Sequence, residues 1–384
     1  MLVKKPPMGW NTWNTFGKEI NEELILTTAD KIIELGLKDL GYEYIVIDDY
    51  WHAGYRDKDG VLVADPVKFP HGMKYLADKL HAKGLKFGMY SCAGFLTCGG
   101  MPSSFEHEWT DAKTFASWGV DYLKYDFCYR PHGIKAEDFY RTMGTALNNC
   151  GRDIVFSACS WGSEQTCEWI RTTGANLWRS TADIMDSWDS VKSLIKAQYN
   201  QLPYGGINCF NDMDMLIVGM NGKAHNISIN LGCSEEEYKT HFAVWCFMGS
   251  PLMIGSDIRN IDSKYIKLMS NKVLIDINQD EAAAQIFNPT RSGSPWSGDF
   301  KEDTPIFARR LANGDLALAF INLTDEKKSF FAPMESLGVT REANKGFLVQ
   351  NCWTKKKVYC PDFIKDEVPA HGTIVYRIKI VDRR

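Results

Sequence analysis

Short apolar clusters and longer amphipathic stretches alternate along residues 1 to about 285. The clusters read as strands at 8–13 (MGWNTW), 42–51, 86–92, 122–128, 153–161, 176–183, 205–212 and 250–258. Their β-branched and aromatic side chains suit a pleated surface. The stretches between them repeat apolar residues at helical spacing. Examples are 21–41 (NEELILTTADKIIELGLKDLG), which closes on a glycine, and 71–85 (HGMKYLADKLHAKGL). Eight such alternations over about 250 residues predict an α/β chain of the (β/α)8 barrel type. A doubly wound parallel sheet is the alternative. It normally has fewer units and a glycine-rich first turn, and no GxGxxG or Walker-type loop occurs here.

From about residue 286 the helical period stops. Strand-like runs follow (TPIFARRL, DLALAFINL, KKSFFAPM, GFLVQNCW, KKVYC, TIVYRIKIV), with turn signals at Asn313-Gly314 and Ala370-His371-Gly372. The pattern predicts a catalytic barrel over 1–285 and an antiparallel β-sandwich over 286–384. No long linker or repeat separates them, so close packing is expected.

One strand, YLKYDFC at 122–128, carries Lys124 and Asp126 two residues apart, hence on one face. Burying both demands either a structural ion pair or a functional site. The other strand ends favour a site. They offer Trp13, the run Asp48, Asp49 and Trp51, then Tyr90 and Cys92, then Cys128, then Cys159, Ser160 and Trp161. Arg179 and Asp183 follow, then Asn211, Asp212 and Asp214, and finally Asp257. The C-terminal ends of barrel strands form the active-site face. Several carboxylates converging there would repel one another without a role. With no HExxH, no histidine cluster and no GxSxG, neither a metal nor another cofactor is expected. Carboxylates, two cations and aromatics suit glycoside hydrolysis.

Composition narrows the partners. A net charge of −4 gives no electrostatic case for nucleic acid or an anionic membrane. No apolar run is long enough to span a bilayer. The first residues, MLVKKPPMGWNTW, lack an apolar core of signal-peptide length. With eleven cysteines in mostly apolar surroundings, this favours a cytoplasmic protein. The sequons at Asn226 and Asn322 carry meaning only in a secreted protein.

The segments MGWNTW, IDDYW, YLKYDFC, CSWG, WRSTADIMDSW, NDMDML and SPLMIGSD resemble, in order and spacing, those of glycoside hydrolase family 27. That family holds retaining α-galactosidases, α-N-acetylgalactosaminidases and some β-L-arabinopyranosidases. The resemblance implies Asp126 as nucleophile and Asp183 as acid/base, with carboxyl groups roughly 5–5.5 Å apart. It places Asp48 and Asp49 on the sugar's 4-OH and 6-OH, Trp13 on its apolar face and Tyr90 on the wall. Lys124 and Arg179 flank the carboxylates, and Asp214 and Met215 lie at the rim. Asp186 and Asp189 are expected at a helix N-terminus. Cys98 and Cys128 match a pair bridged in secreted relatives. A cytosol disfavours such a bond, while inherited local geometry favours it.

The implied activity is hydrolysis of terminal α-D-galactosyl residues of small or oligosaccharide substrates. Ser160 stands where many α-galactosidases of the family carry Glu or Asn. Ser160 and the nearby Ser163 resemble the acetamido-sugar branch, which is therefore the second reading. Asp48, able to bond a 6-OH, argues against arabinopyranose. A non-catalytic galactose-binding protein would not need both Asp126 and Asp183. Association with further copies of the chain stays open.

Overall fold

The computed structural model describes residues 1–225, 231–289 and 301–383; the sequon at Asn226 lies outside the described residues. Eight parallel strands form one sheet: β1 (Met8–Asn11), β2 (Tyr42–Val46), β3 (Lys86–Cys92), β4 (Tyr122–Asp126), β5 (Val155–Ala158), β6 (Leu177–Arg179), β7 (Phe210–Asp212) and β8 (Leu252–Ile254). Their order is β8-β1-β2-β3-β4-β5-β6-β7. The ring closes just beyond β7, where Leu216 makes a parallel bridge to Ile254. The Leu216 N–H reaches Met253 O at 2.7 Å, and the Gly255 N–H reaches Leu216 O at 2.8 Å. This is the predicted (β/α)8 barrel.

Strand alternation sets which side chains face inward. Tyr44, Val46, Tyr122, Val155, Leu177, Phe210 and Met253 form the barrel's inner core. Leu123, Tyr125 and Phe127 point outward into the main core beneath the helices. Lys124 and Asp126 therefore face the barrel axis. Two glycines let the strands close. A Cβ at Gly9 would sit 2.2 Å from Tyr44 O, and one at Gly88 would sit 2.7 Å from a Val46 methyl. Capping fixes where helices begin. The Asn21 side chain accepts from Leu24 N ahead of Glu22–Glu34, and a Ser234/Glu237 capping box starts Glu235–Met248.

The C-terminal part is a sandwich. One sheet holds Ile306–Arg310, Leu316–Ile321, Thr373–Asp382, Lys345–Asn351 and Lys357–Cys360 in that order; Lys328–Pro333 pairs with Phe363–Val368 in the other. All pairings are antiparallel. Phe320, Phe330, Phe347, Ile364 and Ile378 fill the space between the sheets. The opposite face of the larger sheet (Phe307, Ala317, Ala319, Ile321, Val375) joins the barrel's own core. Polar contacts cross the same boundary, including Thr240 Oγ1 to His371 O at 2.6 Å and Arg309 Nη1 to Phe247 O at 3.0 Å. Among the described residues no helix is long and apolar enough to cross a membrane.

Candidate active site

A cavity of about 220 Å³ opens at the C-terminal face of the barrel, lined among others by Trp13, Asp48, Tyr90, Lys124, Asp126, Arg179, Asp183, Asp214 and Met215. Its floor is buried. Asp126, only 6% exposed, ends β4 opposite Cys92 of β3 in the strand register. Asp126 Oδ2 accepts from Tyr90 Oη at 3.1 Å, and Oδ1 accepts from Phe127 N at 3.2 Å. Lys124 Nζ lies 2.8 Å from Asp48 Oδ2 and 5.2 Å above the Tyr90 ring. Asp48 Oδ2 also accepts from Asn11 Nδ2, and its Oδ1 accepts from Asp49 N. Three of its four acceptor positions are thus used, leaving one for a ligand hydroxyl.

The cavity's outer part is built around Arg179. Its Nη2 donates to Asp183 Oδ1 at 2.9 Å and to Thr181 O, and its Nη1 lies 3.0 Å from Asp214 Oδ1. Asp214 Oδ2 accepts from Ile184 N at 2.7 Å, so it also fixes the segment that carries Asp183. Asp214 holds a left-handed backbone, φ 79°, of the kind that marks functional sites. The Asp183 side chain is 54% exposed. The two carboxylates therefore differ sharply in solvation.

Their proton affinities differ as well. Burial pushes Asp126 up to about 6; the Lys124 ammonium works against this, and the charges of Asp183 and Asp48 add to it. At Asp183 loss of water raises the carboxyl, but Arg179, Lys124 and a hydrogen bond from Trp161 outweigh that and hold it below the ordinary range. Because the Asp183 charge raises Asp126, the titrations of the two carboxyl groups are linked.

Two expected sugar contacts lie elsewhere. Asp49 is fully buried below the cavity wall. Its Oδ2 accepts from Gly99 N and its Oδ1 from Tyr50 N, both at 2.7 Å, so it anchors the loop carrying Cys98 instead of gripping a hydroxyl. Ser160 is also fully buried, and its Oγ bonds Thr166 Oγ1 at 2.6 Å. The turn after β5 explains this. Left-handed Trp161 (φ 54°) and Gly162 (φ 78°) swing the indole into the cavity and leave Ser160 behind it. Asp257 pairs with Arg259 at 2.8 Å, away from the cavity. Asp186 precedes the helix N-cap Ser187 and binds Gly222 N and Tyr238 Oη, whereas Asp189 does sit in that helix's first turn.

The structure adds Asn14, Trp161, Ile184, Met185 and His225 to the lining. Trp161 was visible at a strand end; His225 had no signal, lying in an irregular connection. Cys98 and Cys128 are joined as a disulfide, with Cα atoms 5.2 Å apart. The Cys98 sulfur lies 3.3 Å from Asp126 Oδ2. Among the described residues the one grouping of metal-ligand side chains is Cys98, Asp126 and Cys128. The disulfide leaves neither sulfur as a thiolate, so the donors do not suit an ion.

A barrel that brings two carboxylates of unlike solvation into one cavity, backed by a β-sandwich, suits glycoside hydrolysis, and the relatives of this chain are glycoside hydrolases. Residues 5–280 match the family described as alpha galactosidase A, and 301–378 match the alpha galactosidase C-terminal beta sandwich domain. Alpha-galactosidase A of Cellvibrio japonicus is 38% identical, over 98% of this chain and 92% of its own length. The solved alpha-galactosidase I of Mortierella vinacea superposes with a TM-score of 0.89 at 34% identity, covering 100% of this chain and 98% of its own. The Saccharomyces cerevisiae alpha-galactosidase solved with raffinose gives 0.86 at 29% identity, with 98% of each chain covered. The chain belongs to the α-galactosidase family, glycoside hydrolase family 27.

Proposed function

We propose that the protein is a retaining α-galactosidase that removes terminal α-D-galactosyl residues by double displacement. The observation that carries this reading is the gradient within one cavity, from buried Asp126 beside the Lys124–Asp48 pair to half-exposed Asp183 at the mouth. A terminal sugar fills the buried end, and the group it leaves behind sits toward solvent. The yeast relative's raffinose, whose galactose is terminal and α-linked, is a substrate of this form.

In the first step the Asp126 carboxylate attacks the anomeric carbon and the glycosidic C–O bond breaks. Asp183 gives its proton to the departing oxygen. In the second step Asp183 takes a proton from water, whose oxygen attacks the same carbon and frees Asp126. Two inversions give net retention. Tyr90 Oη and Phe127 N hold the nucleophile in place. A substrate hydroxyl that accepts from Arg179 weakens the guanidinium's hold on Asp183 and raises its proton affinity, as the first step requires.

The acetamido-sugar reading depends on Ser160, which is fully buried, bonded to Thr166 and absent from the cavity lining. The test is kcat/KM on nitrophenyl α-galactoside, α-N-acetylgalactosaminide and β-L-arabinopyranoside, measured side by side. The galactoside is expected to lead by at least about a hundredfold. Equal or faster turnover of the acetamido sugar overturns the choice of sugar.

A further inference from the structure

His225 comes from the long connection between β7 and the helix Glu235–Met248, yet it lines the same cavity as both carboxylates. Its backbone N–H and its ring Nδ1 each lie 3.1 Å from Asn14 O. A carbonyl only accepts, so Nδ1 carries the hydrogen, and the tautomer this selects presents Nε2 as a lone pair. Nε2 has no partner among the described residues. The ring packs on Trp13, with centroids 4.9 Å apart and planes at 58°. Gly17 closes in behind it, where a Cβ would meet His225 Cγ at 2.9 Å. Three residues before His225, Gly222 N donates to Asp186 Oδ2 at 2.7 Å. The imidazole is thus oriented before any ligand arrives.

Position decides what it meets. Asp126, Lys124 and Asp48 hold the buried end, while His225 and Asp183 are the exposed members of the lining. An acid must touch the oxygen it protonates, so the leaving group lies on the Asp183 side. We propose that His225 binds the aglycone, its Nε2 accepting a hydrogen bond from a hydroxyl of the sugar that carries the galactosyl residue. His225 thereby separates galactosides with a sugar aglycone from simple alkyl galactosides. This rests on the α-galactosidase reading of the cavity.

The test compares melibiose with methyl α-D-galactoside in the wild type, His225→Phe, His225→Ala and His225→Gln. Both substrates demand protonation of an alkoxide-like leaving group, so their kcat/KM ratio isolates the aglycone contact from the acid step. The ratio is expected to fall about fivefold in the Phe and Ala variants, the weight of one neutral hydrogen bond. Phe keeps the packing on Trp13, and Gln, which retains an acceptor, is expected to recover part of the loss. A ratio unchanged in Phe and Ala overturns the proposal while leaving the α-galactosidase reading intact. Failure of the wild type on both galactosides overturns that reading and the proposal with it.

Discussion

Replacing the nucleophile should make the protein more stable. Asp126 is held at about 6 against an ordinary 3.8, chiefly by burial. Ionised at neutral pH, it therefore costs folding about 3 kcal/mol relative to a neutral group in the same place. Asp126→Asn removes that charge but weakens the bond from Tyr90, an offset of about 1 kcal/mol. A net gain of about 2 kcal/mol at pH 7 follows, read as a rise of a few degrees in Tm. The dependence on pH has a fixed sign. The folded state keeps the Asp126 proton longer than the unfolded chain does, so wild-type stability relative to the variant is lost as pH rises from about 4 to about 6. At pH 4 the two proteins should be nearly equal or the wild type slightly ahead. Thermal unfolding of both at pH 4 and pH 7 is the assay. A less stable variant at pH 7, or a gap that is the same at both values, refutes the electrostatic account of this cavity.

Three further outcomes follow from the same geometry. Asp183→Asn deletes a charge that raises Asp126, so with α-galactosyl fluoride, which needs no acid, the acidic limb of kcat/KM should fall below about 6; a limb at or above 6 contradicts the coupling. Trp161→Phe removes a hydrogen bond that lowers Asp183, so the basic limb of kcat/KM should move to higher pH, and an unmoved or lowered limb contradicts that role. Ser160→Ala leaves Thr166 short of a partner and should lower stability by about 1 kcal/mol without changing the galactoside to N-acetylgalactosaminide ratio; a changed ratio restores Ser160 as a sugar contact.

The barrel was legible because its strands are marked twice, by apolar faces packed under helices and by polar ends at one rim. Lys124 and Asp126 show this best. Period-two alternation alone places both on the axis, with Leu123 and Tyr125 on the opposite face. Legibility stops where the strands stop. Beyond the last ladder residue the direction of a side chain depends on φ, and Tyr50, Trp161 and Asp214 take left-handed values that no pattern announces. Asp49 and Ser160, each next to such a residue, therefore read as sugar contacts in the pattern but are fully buried in the structure, bonded to Gly99 and Thr166. Asp186, which the pattern places at a helix end, and His225, which no pattern marks, differ for another reason. Their roles come from contacts across more than thirty residues, between loops without periodicity.

The central claim is that Asp126 forms a covalent bond to the sugar. Incubation with 5-fluoro-α-D-galactosyl fluoride, followed by peptide mapping in a mass spectrometer, tests it directly, because the fluorine slows release of the glycosyl-enzyme. The account predicts one fluorogalactosyl group on the peptide containing YLKYDFC, attached at Asp126. Attachment at Asp183, or turnover of the reagent without any covalent adduct, would contradict it.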